Sequence, residues 1–468
     1  MAGYNPPFSL SGRKAEASPV AGSGQQKLVR GTSATFLLST ILALGIASAS
    51  APAGAYDIDG GAAITVDPGN PQTWPGSGAG TTGYLNVGTT TSGTLRILDG
   101  GAVTSMVGNI GGTSGGGTGL VEVTGTGSTW MLPGTTSGIL SIGGAGSSIS
   151  AGSGMLTISN GGVVTSGMVR IGGGEGSGGV GSTDGAGVVE VSGTGSKLTV
   201  SNALLVGGRG SNYGGIGGSG TLNIISGGAV TSNIAIVGGA GGGGYRDGGG
   251  EGVVEVSGTG SKWTVSNVTI GGSGAGGGNS HLGGASGAGP GTLSITAGGI
   301  VTGNDATLGG RGYTGGGIHG SGAAGVVEVS GAGSRWEVGG NFAIGGAASN
   351  GSSGTSGGRG GSGTLNVIDG GVVTSNSATI GGVGGTGHNA NTNGGVGFVK
   401  VSGADSRWKV NGNLAVGAVG IGSIGAGSGS GTLTIGDGGV VSVSGTVSLT
   451  NGSLARGARY TEHRRGSR

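Results

Sequence analysis

Two phrases alternate along this chain, and their alternation constrains the fold more than any other feature. The first reads L-x-I-x-x-G-G-x-V-T-S; it occupies 95–105, 156–166 and 222–232 and returns with small changes from Leu293, Leu365 and Leu433. The second reads V-V-E-V-S-G-T-G-S-K-W-x-V at 253–265, with relatives from Leu120, Val188, Val326 and Phe398. Each phrase closes on an apolar-Gly-Gly punctuation such as Ile171-Gly172-Gly173, and a Gly/Ser run of variable length follows. A degenerate opening copy starts at Ile64 and includes Trp74 and Leu85-Asn86-Val87. The full period is about 61 to 73 residues. Self-similarity at such a period is the mark of a stacked repeat, in which no unit can bury its apolar face alone.

Within each half-period the apolar residues are β-branched and alternate with polar ones, a period-2 pattern. In the second phrase three short strands are expected, at 253–256, 262–265 and 268–270. Gly-Thr-Gly-Ser and Asn-Gly-Gly or Asp-Gly-Gly supply turns between them. Three strands and three corners make one rung. The expected fold is therefore all-β, a right-handed parallel β-helix (β-solenoid) of about twelve rungs over residues 56–453, with the Gly-rich loops along one edge. Of 468 residues 132 are Gly, which invites a flexible-linker reading, but a linker has no reason to place Val, Ile and Leu at fixed positions between its glycines. Only 9 Pro occur and Gly does not recur every third residue, which excludes collagen. With charged residues at 9%, the chain also lacks the composition of disorder.

The alternation sets which residues face in. In Val-Glu-Val both valines point inward and the glutamate outward. Glu122, Glu190, Glu255 and Glu328 then share one outward column with Arg96, Thr157, Asn223, Ser294, Asn366 and Thr434 of the first phrase, and Lys400 breaks it. Stacking separates the acids by two rungs, roughly 10 Å. Trp130, Trp263, Trp336 and Trp408 share a position that Leu198 fills in one copy. Their parity with Leu132, Val200, Val265, Val338 and Val410 reads as an inward column; an exposed tryptophan row stacking on sugar rings is the competing reading. Lys197, Lys262, Arg335 and Arg407, each one residue earlier, then face solvent.

The two ends differ from the body. Arg13, Lys14, Lys27 and Arg30 precede an apolar run at 34–47, the charged and apolar regions of an export signal. Residues 1–55 are read as that signal, with cleavage after Ala55 and with 49–51 as the second choice. A buried core helix is the alternative for the apolar run. Residues 454–468 form a basic tail that breaks the repeat. Without residues 1–33 and this tail the body holds 12 basic and 17 acidic residues, or −5, which gives no electrostatic reason to bind nucleic acid. The chain has no Cys.

No catalytic or cofactor signature emerges, and the chain is read as no enzyme. His281, His319, His388 and His463 stand apart from other ligand types. G-x-G-x-x-G matches arise by chance in so much glycine. The near-match to a calcium nonapeptide at 178–184 places its Asp late and does not recur. Asp99, Asp369 and Asp437 precede Gly-Gly where other copies have Asn160, Ser226 and Ala297, so they read as turn residues. Thr104, Thr165, Thr231, Thr302 and Thr374 fall on alternate rungs, which counts against an ice-binding array. Tyr213, Tyr245 and Tyr313 sit in the variable runs and mark the edge where recognition is expected first, the bland alternative being solubilising spacers.

The signal, the two phrases and the Gly-rich spacers together resemble passenger repeats of bacterial autotransporters (type V secretion). The resemblance covers about residues 60–453. It implies a β-helical, exported adhesive or structural protein at the cell surface or outer membrane, or secreted. Host cell surface or matrix is its expected partner, and no cofactor is implied. The family also implies a C-terminal translocator barrel, which this sequence does not contain. The expectation is a passenger severed from its translocator near codon 455, and periplasmic in that form. A polysaccharide-active enzyme on a β-helix scaffold and a truncated product without function are the alternatives.

Overall fold

A computed structural model of the chain describes residues 55–69, 72–73, 83–112, 116–144, 152–173, 185–210, 215–242, 248–274, 287–315, 318–350, 357–385, 393–418, 427–450, 452–456 and 461–462. Among these residues there are strands and turns and no helix. The architecture is the parallel β-solenoid that the repeat implies. One sheet has thirteen strands, each drawn from a successive rung, where about twelve were expected. The opening strand Ala62–Val66 is the copy expected from Ile64 and pairs with the next through Ile64 and Leu95; the added one is the closing strand Gly452–Arg456, which pairs with Gly431–Gly436. At about 4.8 Å per rung the thirteen strands span about 58 Å.

The second sheet has nineteen strands, and here the three-corner expectation needs correcting. The second and third segments of each half-period run together in the middle of the rod. Lys262–Ile270 is one nine-residue strand, as are Val163–Ile171 and Ala229–Val237. The anticipated third corner is an irregularity of register inside a continuous strand, between Ser166 and Met168 or between Val200 and Ala203. A bulge takes up the extra residue without ending the pairing. Only toward the two ends do the segments separate, as in Arg407–Val410 and Leu414–Val416.

The register confirms the alternation. Glu190 pairs with Asn223, Asn223 with Glu255, and Glu255 with Ser294, so the acids sit on every second rung. Val254 and Val256 are buried while Glu255 is half-buried. All four tryptophans Trp130, Trp263, Trp336 and Trp408, and Leu198 in their column, are fully buried. The sugar-stacking reading of that row is thereby excluded.

The pair of rungs is the structural unit, for three reasons that the atoms supply. First, each second-phrase turn ends in a buried serine that caps the turn of the rung before it. Ser128, Ser196, Ser261, Ser334 and Ser406 accept from the amides of Gly100, Gly161, Gly227, Gly298 and Gly370, each at 3.0 Å. The hydroxyl is not left idle: Ser261 Oγ donates to the Ser257 carbonyl at 2.7 Å. Second, the indoles reach to the same neighbour. Nε1 of Trp130, Trp263 and Trp408 donates to Oγ of Ser105, Ser232 and Ser375 at 3.1, 3.2 and 3.3 Å. Third, the ring needs a small residue beneath it. A Cβ on Gly108 would lie 2.6 Å from Trp130 Cζ2. Ala235, Ala306 and Ala378 hold the same column before the other tryptophans, and Val169 stands there before Leu198. Burial of such rings is among the largest single contributions to a core.

Two copies show how the unit adapts. Without an indole to bind, Ser166 turns its hydroxyl to the carbonyls of Gly138 and Met168. Before Trp336 the serine is replaced by Gly303, and Trp336 Nε1 has no partner among the described residues. Phe342 packs edge-on against that indole instead, with centroids 4.8 Å apart, and lies 6.2 Å from Trp408.

Candidate binding surfaces

The described bases of the glycine runs stack rung on rung along one edge, and they are not loops. Residues leaving one rung bond to the returning strand of the same rung and to the rung below. Gly239 N donates to Gly250 O at 2.7 Å, and Gly250 N to Gly208 O at 2.8 Å. The same two bonds recur as Gly346 to Gly361 and Gly361 to Gly310, and as Gly382 to Gly395 and Gly395 to Gly346. A Cβ on Gly239, Gly272 or Gly310 would collide with a backbone carbonyl of the neighbouring rung. Chains can approach this closely only where no side chain intervenes. At these bases the glycines extend the rod as a layer held by backbone hydrogen bonds.

Of the three tyrosines placed on this edge, Tyr213 and Tyr245 lie outside the described residues, as do His281, His388, His463, Trp74 and the 178–184 segment. Tyr313 is half exposed and opens a short antiparallel pair, Tyr313–Gly315 with Ile318–Gly320, in which Thr314 is in register with His319. Ala55 begins the first described strand, Ala55–Ile58, and pairs with Tyr84.

The aspartates before Gly-Gly are turn residues by geometry. Asp99, Asp369 and Asp437 have φ of 52°, 51° and 49°, and Asn160, Ser226 and Ala297 in the other copies have 51°, 53° and 50°. A left-handed backbone at one fixed position, whatever the side chain, is what that corner requires. Among the described residues no three His, Cys, Asp or Glu gather as a metal site.

Asp59 is the most strongly held carboxylate. It accepts from the amides and hydroxyls of both Thr90 and Thr91 at 2.6–2.9 Å, tying the first rung to the second. Burial alone would raise its pKa; the four hydrogen bonds outweigh that and bring it down to about 2. An asparagine ladder runs beside it, from Asn109 to Asn86 to Asp57 at 2.7 Å per bond. This is a seam between rungs at the opening end of the rod.

No family model matches the chain, and no curated protein matches it. Among solved structures, the crystal structure of a TibC-catalysed hyper-glycosylated TibA fragment is similar over 86% of this chain and 99% of its own. Its identity is 17% and its TM-score 0.33, a likeness too loose to carry function across.

Two charged columns dominate the outer faces. On the thirteen-stranded sheet the Glu column runs upward from an ion pair, Arg96 Nε to Glu122 Oε2 at 2.9 Å. On the nineteen-stranded sheet Lys197, Lys262, Arg335 and Arg407 are exposed. Beside them the register brings a correction. Thr165, Thr199, Thr231, Thr264 and Thr302 pair in five successive rungs, not alternate ones. Thr199 and Thr264 of the second phrase fill the gaps, because its turn is one residue longer and shifts them into line. The array remains a single column, flanked by cations. A shallow pocket of about 200 Å³ lies between Arg170, Leu205, Arg209 and Ile236.

Proposed function

We propose that the chain is the exported passenger of an autotransporter-like system, working as a structural and adhesive rod and not as an enzyme. One observation carries the reading: the glutamates, the exposed cations, the threonines and the tryptophans recur in columns at one-rung or two-rung intervals. The acids, cations, threonines and tryptophans are set out in columns rather than converging on one place. A catalyst needs convergent groups around a single reacting centre, whereas a contact surface gains from repetition. The export signal at 1–55 fits a rod displayed outside the cytoplasm, with host cell surface or matrix as its partner.

Attachment tests this directly. Beads coated with the purified protein should adhere to cultured cells or matrix, and Glu122→Gln and Asp99→Asn should leave adhesion and stability nearly unchanged. Steady cleavage of a polysaccharide, abolished by either substitution, would favour the solenoid-enzyme reading. Protease added to intact cells tests display: a surface passenger is shaved, and a periplasmic one is protected until the outer membrane is permeabilised.

A further inference from the structure

The four exposed cations form a straight ladder. Lys197 pairs with Ala229, Ala229 with Lys262, Lys262 with Ile300, Ile300 with Arg335, Arg335 with Val372 and Val372 with Arg407. Successive cations are therefore two rungs apart, about 9.6 Å, and the four span about 29 Å. Ala229, Ile300 and Val372 between them are half-buried and offer small apolar steps. The next column on the same face is the threonine array, with hydroxyls at every rung from Thr165 to Thr302.

We propose that this face binds a linear anionic polysaccharide laid along the rod axis, with one acidic group over each cation. The two-rung interval matches the advance of two linked pyranose rings, so a chain with one carboxylate or sulfate per disaccharide meets a cation at each repeat. The aliphatic residue between cations faces the apolar C–H surface of a ring, and the threonine column offers donors and acceptors to its hydroxyls. The Glu column occupies the other sheet, so a polyanion is repelled there and accepted here. Duplex DNA fits poorly. Its phosphates advance about 3.4 Å along each strand and wind away from a straight line, so a single column of cations meets about one in three.

Acids beside the ladder set its gradient. Glu337 accepts from Arg335 at 3.3 Å, and Asp405 lies 3.6 Å from Arg407. These exposed pairs are weak, but each withdraws part of a guanidinium from a ligand. Among the described residues Lys197 and Lys262 have no such pair, so that half contributes most, and removing the Glu337 charge strengthens binding.

The proposal rests on the adhesive reading and names its partner. The test uses purified protein with heparin tetrasaccharide and octasaccharide, neutral dextran and a short DNA duplex, followed by titration calorimetry. The octasaccharide is expected to bind at least roughly tenfold more tightly than the tetrasaccharide, and dextran not at all. Lys197→Ala with Lys262→Ala should weaken it by at least roughly tenfold, and Glu337→Gln should tighten it severalfold, with thermal unfolding unchanged in both. Octasaccharide binding without length dependence, insensitivity to both variants, or equal affinity for DNA overturns the proposal. If the oligosaccharides fail while coated beads still attach to cells, the polysaccharide falls and the adhesive reading stands; if the beads fail too, both fall.

Discussion

Ser261→Ala is the sharpest probe of what joins one rung to the next. The hydroxyl is fully buried, accepts from Gly227 N at 3.0 Å and donates to Ser257 O at 2.7 Å. Its loss removes two hydrogen bonds and leaves two backbone groups of adjacent turns without that partner. A neutral hydrogen bond is worth about 1 kcal/mol net, and an orphaned buried group costs about 1–3 kcal/mol. Gly227 is half-buried, so water relieves part of the loss. The expected destabilisation is about 1–3 kcal/mol, equivalent to roughly a 5- to 150-fold larger opening constant. A stacked rod unfolds partly by neighbouring units, so a local readout is better than a global midpoint. Hydrogen exchange at the peptide containing Gly227 should quicken by about that factor, while exchange at the equivalent turn around Gly370 should not change. Unaltered exchange at Gly227, with urea stability within about 0.5 kcal/mol of the parent, would refute the capping argument.

Three further outcomes follow from the same geometry. Trp263→Ala should cost about 3–5 kcal/mol and Lys262→Ala less than about 0.5 kcal/mol in urea unfolding, since one ring is fully buried and its neighbour exposed. Ser232→Ala leaves the Trp263 indole in the unpartnered state that Trp336 already has, and should cost about 1–3 kcal/mol by the same assay. Asp59 has a folded pKa, about 2, below its unfolded value near 3.9, so its contribution is present above about pH 4 and lost as pH falls toward 2. Exchange of the Thr90 and Thr91 amides should rise over that window before the middle rungs respond, and Asp59→Asn should abolish the pH step.

Much of this was readable from the residues alone. The Val-Glu-Val alternation places Glu255 outward because a strand has period two, and the Leu198 substitution marks the tryptophan column as core. Asp99, Asn160 and Ala297 share a position because a left-handed corner is indifferent to chemistry so long as it is tolerated. What was hidden lies between phrases. Whether Thr264 lines up with Thr231 depends on the one-residue difference between the two turns, which neither phrase reveals by itself. The fusion of 262–265 and 268–270 into one strand depends on the rungs on either side, which pair with it along its length without a shift of register. The glycine layer left no signal in side chains because its bonding is wholly between backbones. The Trp-over-small rule was visible in Gly108, Ala235, Ala306 and Ala378 against Val169, but only once the rungs were paired.

The rungs of this solenoid work in pairs, and deletion of whole rungs measures that pairing. Removing 220–290 takes out one first-phrase rung and the second-phrase rung above it, so 187–219 meets 291 onward with every serine cap and tryptophan seat intact. That protein should keep the parental urea stability per rung and shorten by about 9.6 Å in solution scattering. Removing only 220–251 leaves two second-phrase rungs in contact. Lys197 then lies against Lys262 and Glu190 against Glu255, and Ser261 and Trp263 lose Gly227 and Ser232. It should be less stable by several kcal/mol and exchange quickly at the junction. Equal stability of the two deletions would contradict the paired-rung account.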